Sequence, residues 1–550
     1  MRDVQGVPSP DIETSRCDVT IEHGAKPFSK QEDCVGIQSY DAKILILGAG
    51  MTGITAAKTL HDKGYRNFII LEGSNRIGGR IKETEIGSFT VEGGAAWIHG
   101  SGTNPLLTLA KKFNLSYVAT HYENYSVRDG SGRDVTDEFA IRYNKSFGPA
   151  FKFFKSYTKE SRVRGKRDFT IRSALLMGGW RPGSAVDDVI EFFNIDFSYA
   201  YAADVISGLH AYIYDAYEAF NITDDLTVND VRGYSHIVRS LHAEFISDGD
   251  QRLRLNEVVT DIEQTDGGIV VRTKDNVTYS ADYVIVTFSI GVLQHDDVRF
   301  SPPLPVWKRE AINQFQQALL MHIYVQFAAK FWDDHEFLLY ASERRNYYNI
   351  WHNVDKTLPG SKILQVSVVG DEVKRLERLN DTEIISEIMS VLRIMYSGCN
   401  VSEPIAYNIP RWYSDPLFRG AFSNWPPGYT LNTFSNLQAP VGKIFFAGEY
   451  SDHLNYGYIQ ASYLSALRVV ENIDQCLRKP GACNVTIRPK DDEHECTYHT
   501  RQMYSAKAKE DDGSCSVNEC PVSSSSSYHS PDFDLFISKM IIAFMLRYFF

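Results

Sequence analysis

The sequence is poor in the features that mark several large classes of protein. No long run of lysine and arginine occurs in its 550 residues, and the formal net charge is −12 at pH 7. A surface of that sign repels phosphate backbones, so nucleic acid is not an expected partner. There are eight cysteines but no CxxC and no zinc-like spacing, so no metal site is expected. The opening MRDVQGVPSPDIETSRC lacks the apolar segment of a signal peptide. Internal repeats are absent. The C-terminal stretch LFISKMIIAFMLRYFF, Leu535 to Phe550, is short for a transmembrane helix and carries Lys539 and Arg547 within it. It follows a Ser-rich polar spacer, Val522 to Asp534. Two readings stand: a GPI-attachment signal whose pattern the charges break, or an amphipathic segment that lies on a membrane.

What remains is an ordinary globular composition, 43% apolar and 23% charged, in a chain long enough for two or more domains. The 31 Tyr and 31 Phe suit aromatic-lined cavities as well as plain cores. Cys17, Cys34, Cys476, Cys483, Cys496, Cys515 and Cys520 lie in the terminal extensions or at their junction with the core, and Cys399 lies apart. Eight N-x-S/T sequons begin at Asn114, Asn124, Asn144, Asn221, Asn276, Asn380, Asn400 and Asn484. Even cysteine number and abundant sequons point to the secretory pathway, with the protein extracellular or at the cell surface. The missing leader keeps a cytoplasmic location as the alternative.

Residues 44 to 80 read ILILGAGMTGITAAKTLHDKGYRNFIILEGSNRIGGR. Ile44 to Leu47 is an apolar run fit for a buried parallel strand, and Gly48-Ala49-Gly50-Met51-Thr52-Gly53 opens a helix that ends at Gly64. Phe68 to Leu71 is the next strand. In such a βαβ unit Gly48 serves the tight turn, Gly50 the close approach of backbone to pyrophosphate, and Gly53 the helix–strand packing. The helix N-terminus favours the phosphate charge. Glu72, 24 residues after Gly48, is placed to accept from ribose hydroxyls and disfavours a 2′-phosphate. The unit therefore predicts a bound dinucleotide other than NADP.

Along the chain, residues 1–40 read as a flexible polar arm. Helical pieces such as Asp187 to Phe193 fall in an aromatic, mixed-charge stretch. Strands return at Leu253 to Ile262, in a hairpin of Ile269 to Thr273 with Val277 to Ser280, and at Tyr283 to Phe288. Val306 to Phe315 is helix-like, Asp381 to Tyr396 is an amphipathic helix, Lys443 to Ala447 is a buried strand, and Gly457 to Cys476 is a turn and helix. The implied architecture is a nucleotide-binding domain assembled from three segments with a second domain inserted between them.

Five further blocks carry a resemblance: IGGR (Ile77 to Arg80), GGAAWIHG (Gly93 to Gly100), ADYVIVTFSIGVLQ (Ala281 to Gln294), FSNWPPG (Phe422 to Gly428) and APVGKIFFAGEYSDHLNYGYIQASYLSA (Ala439 to Ala466). Together they resemble the flavin-dependent amine oxidases, most closely the polyamine oxidases, over about Lys43 to Cys476. The resemblance implies an α/β fold: a Rossmann-like FAD-binding domain from 41–120, 250–320 and 430–476, and an inserted α+β substrate-binding domain from 121–249 and 321–429. Residues 477–550 are then a Cys/Ser-rich tail. It implies FAD as cofactor, with Glu72 on the adenosine ribose, Arg80 on the pyrophosphate, Val259 meeting adenine through its backbone, and Gly448-Glu449 at the ribityl chain. No cysteine stands in the last block where some monoamine oxidases attach theirs, so the FAD is expected to be non-covalent.

By the same resemblance Phe422 and Tyr458 flank the substrate before the flavin, Tyr458 also contacting the cofactor, where π faces attract a cationic amine and exclude water. His99 matches a position near the tunnel mouth where relatives carry His or Glu, taken to bind or deprotonate the amine. His322 stands where the family places a lysine that holds a water at the flavin N5. An imidazole there implies retained but altered activity, slower and more pH-sensitive. Ser198 and Tyr201 replace residues that are often acidic in relatives. The expected reaction takes a hydride equivalent from spermine, spermidine or acetylated forms, releasing aminoaldehyde, amine and hydrogen peroxide. A small cationic amine and oxygen are then the partners of a monomer. The alternatives are an oxidase of monoamines or peptidyl lysine, or an FAD-binding pseudoenzyme with an interaction role.

Overall fold

Four-residue apolar strands survive only where both faces are covered, and β1, Ile44–Leu47, shows this with all four side chains fully buried. The computed structural model describes residues 41–100, 102–211 and 225–478. The N-terminal arm, the tail with its apolar end, six of the eight cysteines, and the sequons at Asn221 and Asn484 lie outside the described residues. β1 leads through Gly48 into α1, Met51–Asp62, which is buried around most of its circumference. Gly64, at φ +94°, lets the chain leave the helix, and Tyr65 N–H donates to Leu60 O at 3.0 Å. β2, Phe68–Leu71, then pairs parallel to β1 in register, Ile44 with Phe68 through Leu47 with Leu71.

The sheet that holds β1 is entirely parallel. Its order is Ile444–Phe446, Tyr283–Val286, β1, β2, Leu253–Arg254, so three distant segments build one layer. α1 packs against the last described helix, Ile459–Arg478, in a core that includes Ile54, Leu60, Val469 and Ile473. This is the Rossmann-like layer expected of the α/β class.

A second, mixed sheet has six strands in the order Pro404–Asn408, Leu320–Phe327, Ile363–Val369, Ile350–Asn353, Phe337–Ala341, Tyr125–Asp129. Helices between Thr136 and Tyr199 pack on it through Phe139, Phe154, Ile190 and Phe337. A three-stranded antiparallel sheet joins Trp97–His99, Asp225–Val228 and Tyr117–Ala119.

Two expected elements differ. The strand read over Leu253 to Ile262 is two strands: Leu253–Arg254 joins the parallel sheet, and Val259–Thr265 begins a separate four-stranded one. Asn256, at φ +62°, turns the chain between them, and its N–H donates to Ser74 O at 2.9 Å. The helix read over Asp187 to Phe193 runs Ala185–Glu191 and widens into a π-helical turn, Phe192–Asp196. Such turns recur near functional sites, and this one delivers Phe197 and Ser198 to the wall described next.

Candidate active site

A cavity of about 670 Å³ opens at the carboxyl ends of the parallel strands and extends to the six-stranded sheet. At its nucleotide end the backbone itself forms the wall. Gly48 has φ +114°, and a Cβ there would lie 2.3 Å from Thr287 Oγ1. A Cβ on Gly53 would lie 1.9 Å from Gly48 O, so only glycine lets α1 approach the turn this closely. Gly50 forms a backbone bridge with Gly78, which ties the first glycine turn to the IGGR segment. Glu72 is buried: Oε2 accepts from Ala49 N–H at 2.7 Å, and Oε1 from Ser74 N–H and hydroxyl at 2.9 and 2.7 Å. Val259 and Lys274 also line this end.

Midway, Arg80 Nη1 donates to Glu449 Oε1 at 2.9 Å and to Ala421 O at 2.7 Å. Glu449 Oε2 accepts from the Ser423 hydroxyl and from the N–H groups of Ser423 and Gly457. The carboxylate is thus fully engaged, and Arg80 is charge-paired. Gly448 precedes it, its N–H donating to Ser465 Oγ at 3.1 Å.

The far end is aromatic. Phe422 starts the short strand Phe422–Asn424, paired through Ala318, and its ring lies against Gly457 next to Tyr458. The rings of Tyr458 and His99 are 4.4 Å apart between centroids. His99 Nδ1 lies 3.1 Å from Asp225 Oδ1, its cross-strand neighbour. His322 sits on Leu320–Phe327 opposite Ser367, with Nδ1 2.9 Å from the Ser367 hydroxyl. The Trp97 ring packs edge-on to His322 at 5.6 Å, and its buried indole Nε1 has no hydrogen-bond partner among the described residues. Burial, with a smaller contribution from His352, pushes the His322 pKa down to about 3, so this imidazole is neutral over the whole working range. The added pH sensitivity expected of residue 322 therefore has no source in its own titration. Ser198 lines the cavity, whereas Tyr201 packs beside Gly370 and is not in the wall.

A family model described as flavin-containing amine oxidoreductase matches residues 51–474. The chain belongs to that family. It is 34% identical to polyamine oxidase 1 of Zea mays over 84% of this chain and 93% of the relative. It is equally identical to polyamine oxidase 6 of Oryza sativa subsp. japonica, over 80% and 91%. Among solved structures, a putrescine oxidase double mutant with redesigned cofactor binding superposes with a TM-score of 0.63 at 18% identity, covering 79% of this chain and 99% of that one. That likeness supports the fold alone.

Family membership makes this a flavin-dependent amine oxidoreductase, and the cavity fits a dinucleotide form of the cofactor. The wall at Gly48 and Gly50, where no side chain projects, leaves room for a pyrophosphate at the start of α1, beside Met51 and Thr52. Glu72 at the end of β2 and Arg80 between the two ends are the residues that would hold such a group. The cavity brings together His99, His322, Phe422 and Tyr458 at one end, with Gly48, Gly50, Glu72, Arg80, Val259, Gly448 and Glu449 along the rest. Gly53 acts behind the wall, through packing. Residue reasoning missed Trp97, Tyr122, Ser367 and Asp225. Trp97 and His99 share one motif, so Trp97 was within reach. Asp225 and Ser367 carry no local signal, because strand pairing brings them to His99 and His322, and Tyr122 lies in the turn between Tyr117–Ala119 and Tyr125–Asp129.

Proposed function

We propose that this protein oxidises polyamines, spermine, spermidine or their acetylated forms, to an aminoaldehyde and an amine with release of hydrogen peroxide. The observation that carries this reading is the charge of the substrate end. Lys274 lies at the Val259 end of the cavity, Arg80 is paired with Glu449, and His322 is neutral, so among the described residues no free cation faces the aromatic walls. Phe422 and Tyr458 then offer π faces to a cationic amine, and Asp225 supplies the negative charge. The names of the two plant relatives point the same way.

A flavin held by the glycine turn, Glu72, Arg80 and Gly448-Glu449 would supply the redox chemistry, hydride acceptance from the carbon beside the amine nitrogen and reoxidation by oxygen. The chain's own residues hold the amine between Phe422 and Tyr458 and keep water from the reacting carbon. His99 accepts an amine proton, and His322 with Ser367 holds a water by hydrogen bonds as a neutral group. FAD is held without a covalent bond, a reading supported by the absence of cysteine from residues 440–472. Acid precipitation that leaves the flavin with the pellet refutes that point.

Passage through an oxidising compartment is supported by the disulfide at Cys476 and by the exposure of Asn114, Asn144, Asn276, Asn380 and Asn400. A glycosidase-induced shift in mass of the natural protein tests it. Among the described residues no helix is long and apolar enough to cross a membrane; membrane association through the apolar stretch Leu535 to Phe550 is part of the proposal.

Anaerobic mixing with spermine tests the reaction. Bleaching of the flavin supports oxidation. A flavin that stays yellow favours a binding protein without turnover, the reading that the loss of the family lysine at 322 motivates. Peroxide release across polyamines, monoamines and lysyl peptides then separates the substrate classes.

A further inference from the structure

Asp225 is 5% exposed and sits in the cavity wall across the strand pair from His99. Its two oxygens have different partners. Oδ1 lies 3.1 Å from His99 Nδ1, and Oδ2 accepts from the Tyr122 hydroxyl at 3.1 Å. An ionised carboxylate can only accept, so the proton of the neutral imidazole belongs on Nδ1 and the lone pair on Nε2. The same small sheet closes elsewhere with neutral groups, Thr120 to Thr227 at 2.7 Å, so the pairing of strands does not itself demand a charge.

The titratable groups facing the pair among the described residues are Tyr458, whose ring contacts His99, Tyr122, and Glu336 across Tyr122. Burial, and then the Asp225 charge, push Tyr122 well above its ordinary range, so it stays protonated and donating.

We propose that Asp225 is a positioning residue that fixes the His99 tautomer, so that Nε2 accepts an N–H of the substrate ammonium, and that it stabilises the imidazolium formed when the proton moves. The step balances without redox change. The ammonium nitrogen loses one proton and regains its lone pair, Nε2 gains that proton, and the new positive charge faces the Asp225 carboxylate. Before transfer, the Asp225–His99 unit is net negative and attracts the cation. The proposal rests on the reading of this chain as an oxidase of cationic amines.

The test uses the holoenzyme with spermine, following kcat/KM from pH 6 to 10. An asparagine at 225 donates to Nδ1 and moves the proton to Nε2, removing the acceptor. Asp225→Asn is expected to lower kcat/KM about 100-fold at pH 7. The deficit shrinks toward pH 10, where the amine arrives neutral. In a His99→Gln background the same change adds nothing to the loss. As a readout independent of turnover, calorimetric affinity for a bis-guanidine polyamine analogue, a permanent cation, falls at least about tenfold in Asp225→Asn.

A wild-type pH profile and analogue affinity in Asp225→Asn overturn the proposal, as does an equal loss in both backgrounds. If Asp225→Asn does not retain flavin, Asp225→Glu is the second variant. It is expected to keep the acid limb of the wild-type profile, and a displaced limb overturns the proposal. A wild type that spermine does not bleach refutes the polyamine reading, while the analogue measurement still reads the role of Asp225. A wild type that bleaches beside an indifferent Asp225→Asn refutes the positioning role alone.

Discussion

Replacing His322 by lysine and by glutamine tests how the substrate end works without the family's cation. Holding an imidazole neutral down to about pH 3, against an ordinary value of 6.5, corresponds to about 5 kcal/mol against protonation. At pH 7 the charged form is then about one molecule in ten thousand. No step at physiological pH can depend on an imidazolium at 322; the residue acts only through its hydrogen bonds. His322→Gln retains an amide to meet the Ser367 hydroxyl but cannot titrate. Anaerobic stopped-flow reduction by spermine should give the two proteins the same dependence on pH between 6 and 9, with the variant slower by about tenfold at every point. His322→Lys brings an ammonium into a site only 6% exposed, edge-on to Trp97. Burial lowers its pKa, and a new inflection is expected on the alkaline side. An inflection near pH 6 to 7 in the wild type that disappears in His322→Gln would refute the reasoning, since it would require an imidazole that titrates where this one is held neutral.

Three more expectations concern the frame around the site. Burial pushes the Glu92 carboxyl up to about 8 from 4.5, and its Oε2 has no hydrogen-bond partner among the described residues. A folded-state pKa above the unfolded one makes stability fall as pH rises from about 4.5 through about 8. Glu92→Gln should therefore flatten the decline in Tm between pH 5 and 9. Lys308 is fully buried; its ammonium donates to Asn436 O, Leu437 O and Ala439 O at the end of helix Leu431–Gln438 and lies 3.8 Å from the Phe446 ring centroid. Lys308→Met strands those carbonyls and should cost about 3 kcal/mol in urea unfolding; a cost under about 0.5 kcal/mol contradicts that role. Gly53→Ala drives a methyl into Gly48 O, and the purified variant should carry little flavin by its absorbance ratio; full flavin content contradicts the packing role assigned to Gly53.

The nucleotide-binding half of the site was legible because its information is local. Strand, turn, helix, strand and Glu72 follow one another within 44–80, each from nearest neighbours and fixed spacing. Arg80 and Glu449 were legible only as members of blocks; their 2.9 Å contact joins residues 369 apart. Asp225 was not legible, since its meaning lies in a cross-strand register 126 residues from His99. The same limit explains His322: its position could be read from its block, but its charge state follows from burial that only the packed sheet creates. Leu253 to Ile262 was misread because a single left-handed asparagine outweighed an apolar pattern. In each case the missing quantity was a long-range contact or a backbone angle, not a residue type.

The parallel sheet also sets a timetable for biosynthesis. Tyr283–Val286 pairs with β1 on one side and with Ile444–Phe446 on the other, so one of its edges stays bare until Ile444–Phe446 leaves the ribosome. At ordinary elongation rates that wait lasts roughly 10–30 s. During it the nascent chain exposes an apolar strand edge, the condition under which chains associate wrongly. Gly448-Glu449, which line the cavity beside Arg80, follow directly on that strand. Cofactor capture and closure of the sheet are therefore late, nearly simultaneous events, and flavin supply during synthesis should govern how much of this protein escapes aggregation.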